Sequence, residues 1–383
     1  MTSSENRAGR YVRQIEGYSA FLPRTLPPNP PISYDPELLE LLSGADQSLG
    51  RLDGSTAALP NSDLFVAMYV RREATLSSQI EGTQASLVDL LEYEAQAVQP
   101  DRPVDVVEIA NYVTAMNHGL DRLEDLPVSL RLIREIHEHL LRGVRGSERT
   151  PGEFRTSQNW IGPPGCTLTD ATFVPPPSGA MRDSLGDWET FLHSEEPMPV
   201  LVKVGLAHAQ FETIHPFLDG NGRVGRLLIT FLLVERGILN RPLLYLSHFF
   251  KQHRSEYYDS LQSIRDDGDW EDWLKFFLIG VAEVATEATE TARQIVALRE
   301  EHRVIITSSL GRGAGKALVL HEQLFYRPIV NVHTVMEITG LSVARAYGLV
   351  AELEQLGLLR ETTGRRRNRV FLYQPYVSLF SGD

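Results

Sequence analysis

The sequence predicts a mainly α-helical protein with one exposed hairpin between its helical halves and a small helix-and-strand unit at its C-terminal end. Three observations predict it. Apolar residues recur at helical spacing through most of residues 63–303. Proline and glycine are gathered into a few short stretches and punctuate those runs. Beyond residue 330 two short helical runs are followed by two strand-like runs, Leu358 to Glu361 and Arg369 to Tyr373.

Taken in order, Pro23, Pro27, Pro28, Pro30 and Pro31 make residues 22–35 read as an extended arm. From Asp63 to about Gln96, Leu64, Met68, Val70, Leu76, Ile80, Leu87 and Leu90 recur at roughly helical spacing, and Gly82 divides the run into two helices. Helices follow at 104–122 and 129–142. Gly152 to Pro177 holds Gly162, Pro163, Pro164, Gly165 and Pro175 to Pro177, with Trp160, Ile161, Phe173 and Val174 between turns, and reads as a hairpin or exposed loop. Helical periodicity returns over Ser178 to Leu192 and Val200 to Ile214 and, after the short loop His215 to Gly222, over Arg223 to about Arg236. Further helices are expected at 254–265, 270–282 and 283–303. The glycine-rich Ser308 to Lys316 reads as a flexible linker. It is no P-loop, because the four-residue gap before the Gly-Lys pair is absent and Ala317 stands where a magnesium-binding Ser or Thr belongs.

Composition narrows the function. A length of 383 residues suits two or three domains. The longest apolar runs, as near Leu227 to Val234, are too short to span a bilayer, and Met1 to Arg10 has no apolar signal region. The single cysteine, Cys166, excludes an intrachain disulfide and cysteine-rich zinc sites and fits a cytoplasmic setting. A net charge of −13 argues against nucleic-acid binding over the whole surface, while leaving room for a local basic patch.

The chemistry concentrates in His215-Pro216-Phe217-Leu218-Asp219-Gly220-Asn221-Gly222-Arg223-Val224-Gly225-Arg226. Gly220 and Gly222 bracket Asn221 where a helix starts, so backbone can approach a ligand closely and the first N–H groups lack internal partners. Such a start attracts phosphate. Arg223 and Arg226, three apart, share one face beside it and suit a polyphosphate. Asp219, an acid in this positive setting, is accounted for by magnesium on the phosphates. His215 ends the preceding helix, and an imidazole suits proton abstraction from a hydroxyl near neutral pH.

This window resembles the signature of the Fic family, His-Pro-Phe-x-Asp-Gly-Asn-Gly-Arg-x-x-Arg, at every fixed position. Gly152-Glu153-Phe154-Arg155 and Gln158-Asn159-Trp160-Ile161-Gly162 resemble the approach to the family's flap hairpin, Phe173-Val174-Pro175-Pro176-Pro177 its return, and Leu244 to Val281 the helices beyond the motif. The likeness covers roughly residues 60–290. It implies a helical core with a β-hairpin flap that binds ATP·Mg²⁺ and transfers AMP to a Ser, Thr or Tyr hydroxyl of a protein, the chain itself included, releasing pyrophosphate. Position by position, it implies His215 as the base, Asp219 as the magnesium ligand, Gly220, Asn221, Gly222 and Arg223 on the α- and β-phosphates, Arg226 on the γ-phosphate, and Phe173, Val174 and Pro175 as the flap that docks a target. Gly222 favours AMP transfer over the family's kinase branch, which has lysine there. Ser77-x-x-x-Glu81-Gly82 resembles the inhibitory helix of members that carry this element before the core.

Of the other histidines, His137 and His139 are two apart, which is wrong for a shared metal on a helix, and read as surface or packing residues. His208, two turns before His215, reads as a satisfied core histidine.

In the C-terminal unit, Val332, Val335 and Ile338 read as a short helix ended by Gly340. A second helix spans Val343 to Leu356, with Ala344, Tyr347, Val350, Ala351, Leu353 and Leu356 facing inward. With the strands around Thr362 to Asn368, tipped by Arg365, Arg366 and Arg367, this resembles a winged helix-turn-helix. The expected domains are an N-terminal arm and inhibitory helix region at 1–100, a Fic catalytic core at 101–300 and a winged-helix domain at 301–383. The expected partners are ATP and a protein target, with DNA at the basic hairpin and a second copy of the chain left open. Two alternatives stand beside the transferase: a DNA-binding regulator that uses the fold to sense nucleotide, and a phosphodiesterase that removes AMP with Glu81 assisting.

Overall fold

A computed structural model describes residues 6–57, 62–95, 104–163, 165–365 and 368–380. Pro164, Arg366, Arg367, Gln96 and the side chain of Leu64, all used in the sequence reading, lie outside the described residues.

The chain opens with an antiparallel hairpin, β1 (Gly9–Arg13) and β2 (Ser19–Pro23), with Tyr11 opposite Phe21. The extended arm follows, and then a helix the sequence reading left out, α1 (Pro36–Ala57). Its start is well signalled: the Asp35 carboxylate accepts the Leu38 N–H at 2.7 Å, and Pro36 takes the first helical position, where it has no N–H to lose. Leu38, Leu42, Ala45, Leu49 and Leu52 form its buried stripe.

Next come α2 (Ser62–Ile80), α3 (Leu87–Glu94), α4 (Val104–Arg122) and α5 (Leu130–Leu140). A turn through Glu81 and Gly82 separates α2 from α3, and Ser86 and Asp89 close a capping box on α3. The hairpin expected over Gly152 to Pro177 is reduced to one antiparallel bridge, Ile161 with Phe173, whose two backbone bonds are 2.8 and 3.0 Å long. Helices α6 (Ser178–His193), α7 (Val200–Ile214) and α8 (Asn221–Glu235) follow. The last two are apolar on nearly every side and form the centre of the core, as a helix buried all round must.

Beyond them lie α9 (Ser247–Gln252), α10 (Arg254–Asp267) and α11 (Trp270–Ser309). The sequence predicts two helices here, 270–282 and 283–303. The helix runs through because nothing there breaks it: no proline and no glycine lies between Val281 and Ser309. Its residues Leu274, Leu278, Val281, Ala285, Ala288, Ala292 and Ile295 repeat the alternating four-and-three spacing of the α1 stripe, and the two helices pack together.

The expected linker is a 3-10 turn, Gly311–Gly313, leading into α12 (Ala314–Leu324). Strand β3 (Ile329–Asn331), α13 (Val332–Thr339), α14 (Val343–Gln355), β4 (Arg360–Glu361), β5 (Val370–Leu372) and α15 (Gln374–Ser378) complete the chain. The three strands form an antiparallel sheet in the order β3-β5-β4. On α14 the inward face is Ala346, Leu349, Val350 and Leu353. Ala344, Tyr347 and Ala351, expected inside, are exposed, because the buried stripe is centred about one residue away from the face first read. No described helix is long and apolar enough to cross a membrane.

Candidate active site

The loop from His215 to Gly220 joins the two central helices. His215 closes α7 in a left-handed conformation, φ 49°, that a non-glycine residue adopts only when its surroundings hold it there. They do. The Arg155 guanidinium donates to the carbonyls of His215 (2.9 Å) and Ile214 (3.5 Å), and the Asn159 amide donates to those of His215 (3.3 Å) and Phe217 (2.8 Å). The His215 ring contacts the Glu212 carbonyl through Nδ1 at 3.4 Å. A carbonyl only accepts, so Nδ1 carries the hydrogen and Nε2 the lone pair. Desolvation, then the positive charges of Arg155 and Arg265, push the ring's pKa down to about 3, so it is neutral at physiological pH.

The Asn221 side chain closes the loop, accepting the Phe217 N–H and donating to the Phe217 carbonyl, both at 2.8 Å. Gly220, in the left-handed region at φ 78°, precedes α8, and no side chain caps that helix. The first N–H groups of α8 are therefore left without a side-chain cap, with the positive end of the helix dipole behind them. Gly222 is packed tightly: a Cβ built there would lie 2.3 Å from Glu81 Oε1 and 2.9 Å from Arg226 Nη1.

Arg223 is buried, and its Nε and Nη1 have no hydrogen-bond partner among the described residues. Glu108, at 3.8 Å, and Asp219, at 3.5 Å, are near enough for charge attraction only. Arg226 is better satisfied. It donates to Ser77 Oγ (2.8 Å), to the Ser77 carbonyl (3.0 Å) and to Glu81 Oε1 (2.8 Å). Desolvation opposes the charge on Glu81, but the Arg226 and Arg223 guanidiniums outweigh it and hold the carboxyl below its usual range. The Glu81 side chain is 33% exposed and that of Arg226 2%, so the pair meets solvent from the carboxylate side.

Asp219 Oδ1 accepts the Gly220 N–H at 2.7 Å. Among the described residues no group of three His, Cys, Asp or Glu side chains could hold a metal by itself. One hard carboxylate beside an uncapped helix start suits a magnesium ion only where the ion's other ligands are phosphate and water oxygens.

The flap residues Phe173, Val174 and Pro175 are buried. Phe173 packs under the Arg265 guanidinium, 3.8 Å from the ring centre, and the Val174 carbonyl accepts the Phe21 N–H of β2 at 2.9 Å. The N-terminal hairpin thus occupies the outer edge of the flap's return at Val174. Trp160, on the approach, is 42% exposed.

Four supporting residues escaped the sequence reading as functional. His137 accepts the Gly152 N–H at Nδ1 (2.9 Å), donates from Nε2 to the Asp219 carbonyl (3.0 Å) and stacks on Phe217 at 3.7 Å. Burial pushes its pKa down to about 4, which keeps one nitrogen an acceptor. Arg155 and Asn159 hold the loop. Glu212, buried under Gly225 with Oε1 unpartnered, is pushed up to about 7 by burial. Only the motif flanks hinted at Arg155 and Asn159. His208 is a satisfied core residue, bonded to the Gly225 carbonyl and the Tyr257 hydroxyl, each at 2.9 Å.

Residues 39–121 match the family model described as Fic/DOC family N-terminal, and residues 127–233 match that of the Fic/DOC family. A probable protein adenylyltransferase of Aquifex aeolicus is 32% identical over 173 residues, 45% of this chain and 50% of that protein. Protein adenylyltransferase Fic of Aedes aegypti is 36% identical over 152 residues, 39% of this chain and 27% of that protein. The chain thus spans half or less of the length of these relatives. In fold it is similar to a Fic family protein from Desulfovibrio desulfuricans G20, with a TM-score of 0.60 at 18% identity over 90% of this chain and 97% of that one. A Fic domain containing signaling protein from Bacteroides thetaiotaomicron VPI-5482 gives 0.50 at 18% identity, over 67% and 97% of the two chains.

Proposed function

We propose that this chain, a Fic-domain protein related to the Fic/DOC adenylyltransferases, transfers AMP from ATP to a hydroxyl of a protein and is restrained by Glu81. The observation that carries the reading is the buried Arg223, whose orphaned donors flank the open N–H groups of α8. An unpaired buried guanidinium is costly, and a polyphosphate would supply the missing acceptors. The N–H groups of Gly222 and Arg223 would hold the α- and β-phosphates and Arg226 the γ-phosphate, while the Gly220 N–H is taken by Asp219 Oδ1. Asn221 would serve by shaping the loop, since both ends of its amide are engaged there. Asp219 would hold the magnesium ion that travels with ATP, which neutralises phosphate charge when bound.

The chemistry then falls to His215. Its Nε2 lone pair would take the proton of the target hydroxyl as that oxygen attacks the α-phosphorus. The new oxygen–phosphorus bond forms as the bond to the β-phosphate oxygen breaks, and pyrophosphate leaves. The helix start and Arg223 would neutralise charge where they stand, and Arg226 would do so once released from Glu81. A target strand would pair at Trp160 on the flap's approach, since Ile161 is engaged with Phe173 and β2 takes the Val174 carbonyl.

The C-terminal helices and sheet are read as a winged helix-turn-helix, with Arg345 and Tyr347 exposed on α14. Its ligand, DNA or protein, would select where the enzyme acts. The test of the whole reading is incubation with ATP labelled at the α- or the γ-phosphate. Label retained on protein from the α-position alone supports AMP transfer. Retention from the γ-position indicates a kinase. Absence of both, with DNA bound, returns the nucleotide-sensing regulator. Release of AMP from a modified protein returns the phosphodiesterase.

A further inference from the structure

We infer that Arg155 is the positioning residue of this site: it ties the His215 backbone and both rims of the flap into one hydrogen-bonded unit, so that base and target edge keep a fixed separation. The inference rests on the AMP-transfer reading. Arg155 is 1% exposed, and among the described residues its guanidinium bonds only to backbone carbonyls. Nε reaches His215 (2.9 Å), Nη1 reaches Ser157 on the flap's approach (3.2 Å), and Nη2 reaches Pro176 on its return (2.5 Å) and Ile214 (3.5 Å). The Arg155 N–H also donates to the Pro216 carbonyl at 2.9 Å. Three chain segments that share no secondary structure therefore meet on one side chain.

Only a planar fork of N–H groups spans such an arrangement. A lysine ammonium keeps the charge but is a point donor on a flexible stem and cannot serve all the carbonyls. The clamp matters because His215 sits in the left-handed region, where the backbone relaxes if released. Relaxation would swing Nε2 away from an incoming hydroxyl and, through Pro176 and Ser157, loosen the flap against which that hydroxyl is held.

The charge of Arg155 adds a second effect. His215 faces Arg155 from the flap approach, Arg265 from α10 and Glu81 from beyond α2, and it lies next to the backbone of Glu212 on its own helix. The two cations help to keep the ring neutral, and Glu81 works the other way. Removing the Arg155 charge raises the ring's pKa, while replacing it with lysine does not.

The test compares Arg155→Lys and Arg155→Met in a Glu81→Gly background, measuring kcat for transfer of the α-label, KM for ATP, the pH profile of kcat and the melting temperature. Both variants are expected to lose about 10²-fold in kcat, the scale of a 1 Å misplacement, with KM for ATP unchanged. The acid limb of the profile stays in place for Arg155→Lys and moves to higher pH for Arg155→Met. Retained kcat in Arg155→Lys, an unmoved limb in Arg155→Met, or a rise in KM that matches the fall in kcat overturns the inference. Should both variants fail to fold, Asn159→Ala removes the second donor on the His215 carbonyl and is expected to lower kcat less, again without changing KM. Unchanged kcat there overturns the inference too. If the Glu81→Gly parent transfers no label, the AMP-transfer reading fails and this inference falls with it; an active parent with active variants sinks the Arg155 role alone.

Discussion

Replacing Glu81 with glycine removes one carboxylate, and the structure sets the size of the expected effect. Glu81 Oε1 lies 2.8 Å from Arg226 and sits over the start of α8, where an added Cβ on Gly222 would be only 2.3 Å away. On the proposed reading the carboxylate competes with phosphate for the Arg226 donors. A hydrogen bond to a charged group contributes about 1.5–3 kcal/mol, and the lower end applies here because a third of the Glu81 side chain meets solvent. That is roughly tenfold in the balance between blocked and open sites. Where ATP enters the blocked site with its α-phosphorus out of line, that state transfers up to about 10²-fold more slowly and contributes little. Glu81→Gly should therefore raise transfer and self-modification by about 10-fold, with a smaller gain in ATP affinity. The double variant Glu81→Gly, Arg226→Ala should lose most of the gain, because the freed arginine is what it depends on. The pH dependence has a definite sign. The carboxyl is held below its usual 4.5, so the restraint is complete above that value and is lost only as pH falls through the lower folded one. The ratio of variant to wild-type rates should stay constant from about pH 6 to 8. The assay is retention of α-labelled phosphate on a confirmed protein target. Equal rates for Glu81→Gly and wild type, or a ratio that changes several-fold across that pH range, would refute the reasoning and reduce residues 77–82 to an ordinary helix end.

His215→Ala should lower transfer by about 10² to 10⁴ while ATP still binds, since the phosphate grip lies elsewhere; near wild-type turnover removes His215 from the mechanism. Arg223→Met should weaken ATP by about 10- to 10²-fold without lowering the melting temperature of the nucleotide-free protein, because its Nε and Nη1 are unsatisfied there; a melting temperature that drops with unchanged ATP affinity makes Arg223 a structural residue. Deleting the flap tip, residues 163–171, should cut transfer to a protein more than ATP binding, and equal losses would instead point to folding. His208, His215 and His321 are pushed from 6.5 to about 3, so the unfolded chain binds protons that the folded one refuses, and stability should fall as pH drops below about 6.5. Glu212, pushed up to about 7, acts oppositely and lowers stability as pH rises from 4.5 toward that value. A melting temperature that stays flat from about pH 7 to about 5 contradicts the burial of these histidines.

What was legible follows the range of the interactions. The His215 to Arg226 window is local, so its loop, helix start and arginine face could be read from spacing alone, and α8 begins within a residue or two of its expected start. Helix α1 was legible in principle through Asp35, Pro36 and the four-and-three stripe. It was obscured by the prolines before it and by Gly44, Gly50 and Gly54 inside it, which carry turn signals that packing against α11 overrides. The N-terminal hairpin gave little warning because its strands are five residues each and its apolar residues are few; Phe21 acquires its role from Phe173 and the Val174 carbonyl, about 150 residues away.

Long-range polar contacts left the weakest trace. Ser77 and Glu81 meet Arg226 across 149 and 145 residues, and only likeness to a family tied them together. The two-residue spacing of His137 and His139 reads as surface or packing, yet the two nitrogens of His137 join Gly152 to the Asp219 carbonyl. Asn221 makes the converse point. Its position between two glycines at a helix start suggests a ligand contact, but the loop's own backbone takes both ends of the amide. A polar residue in such a motif can therefore act by setting the shape into which the N–H groups of Gly222 and Arg223 point, and an Asn221→Ala variant should lose ATP affinity through loss of loop order even though no donor aimed at the phosphate has been removed.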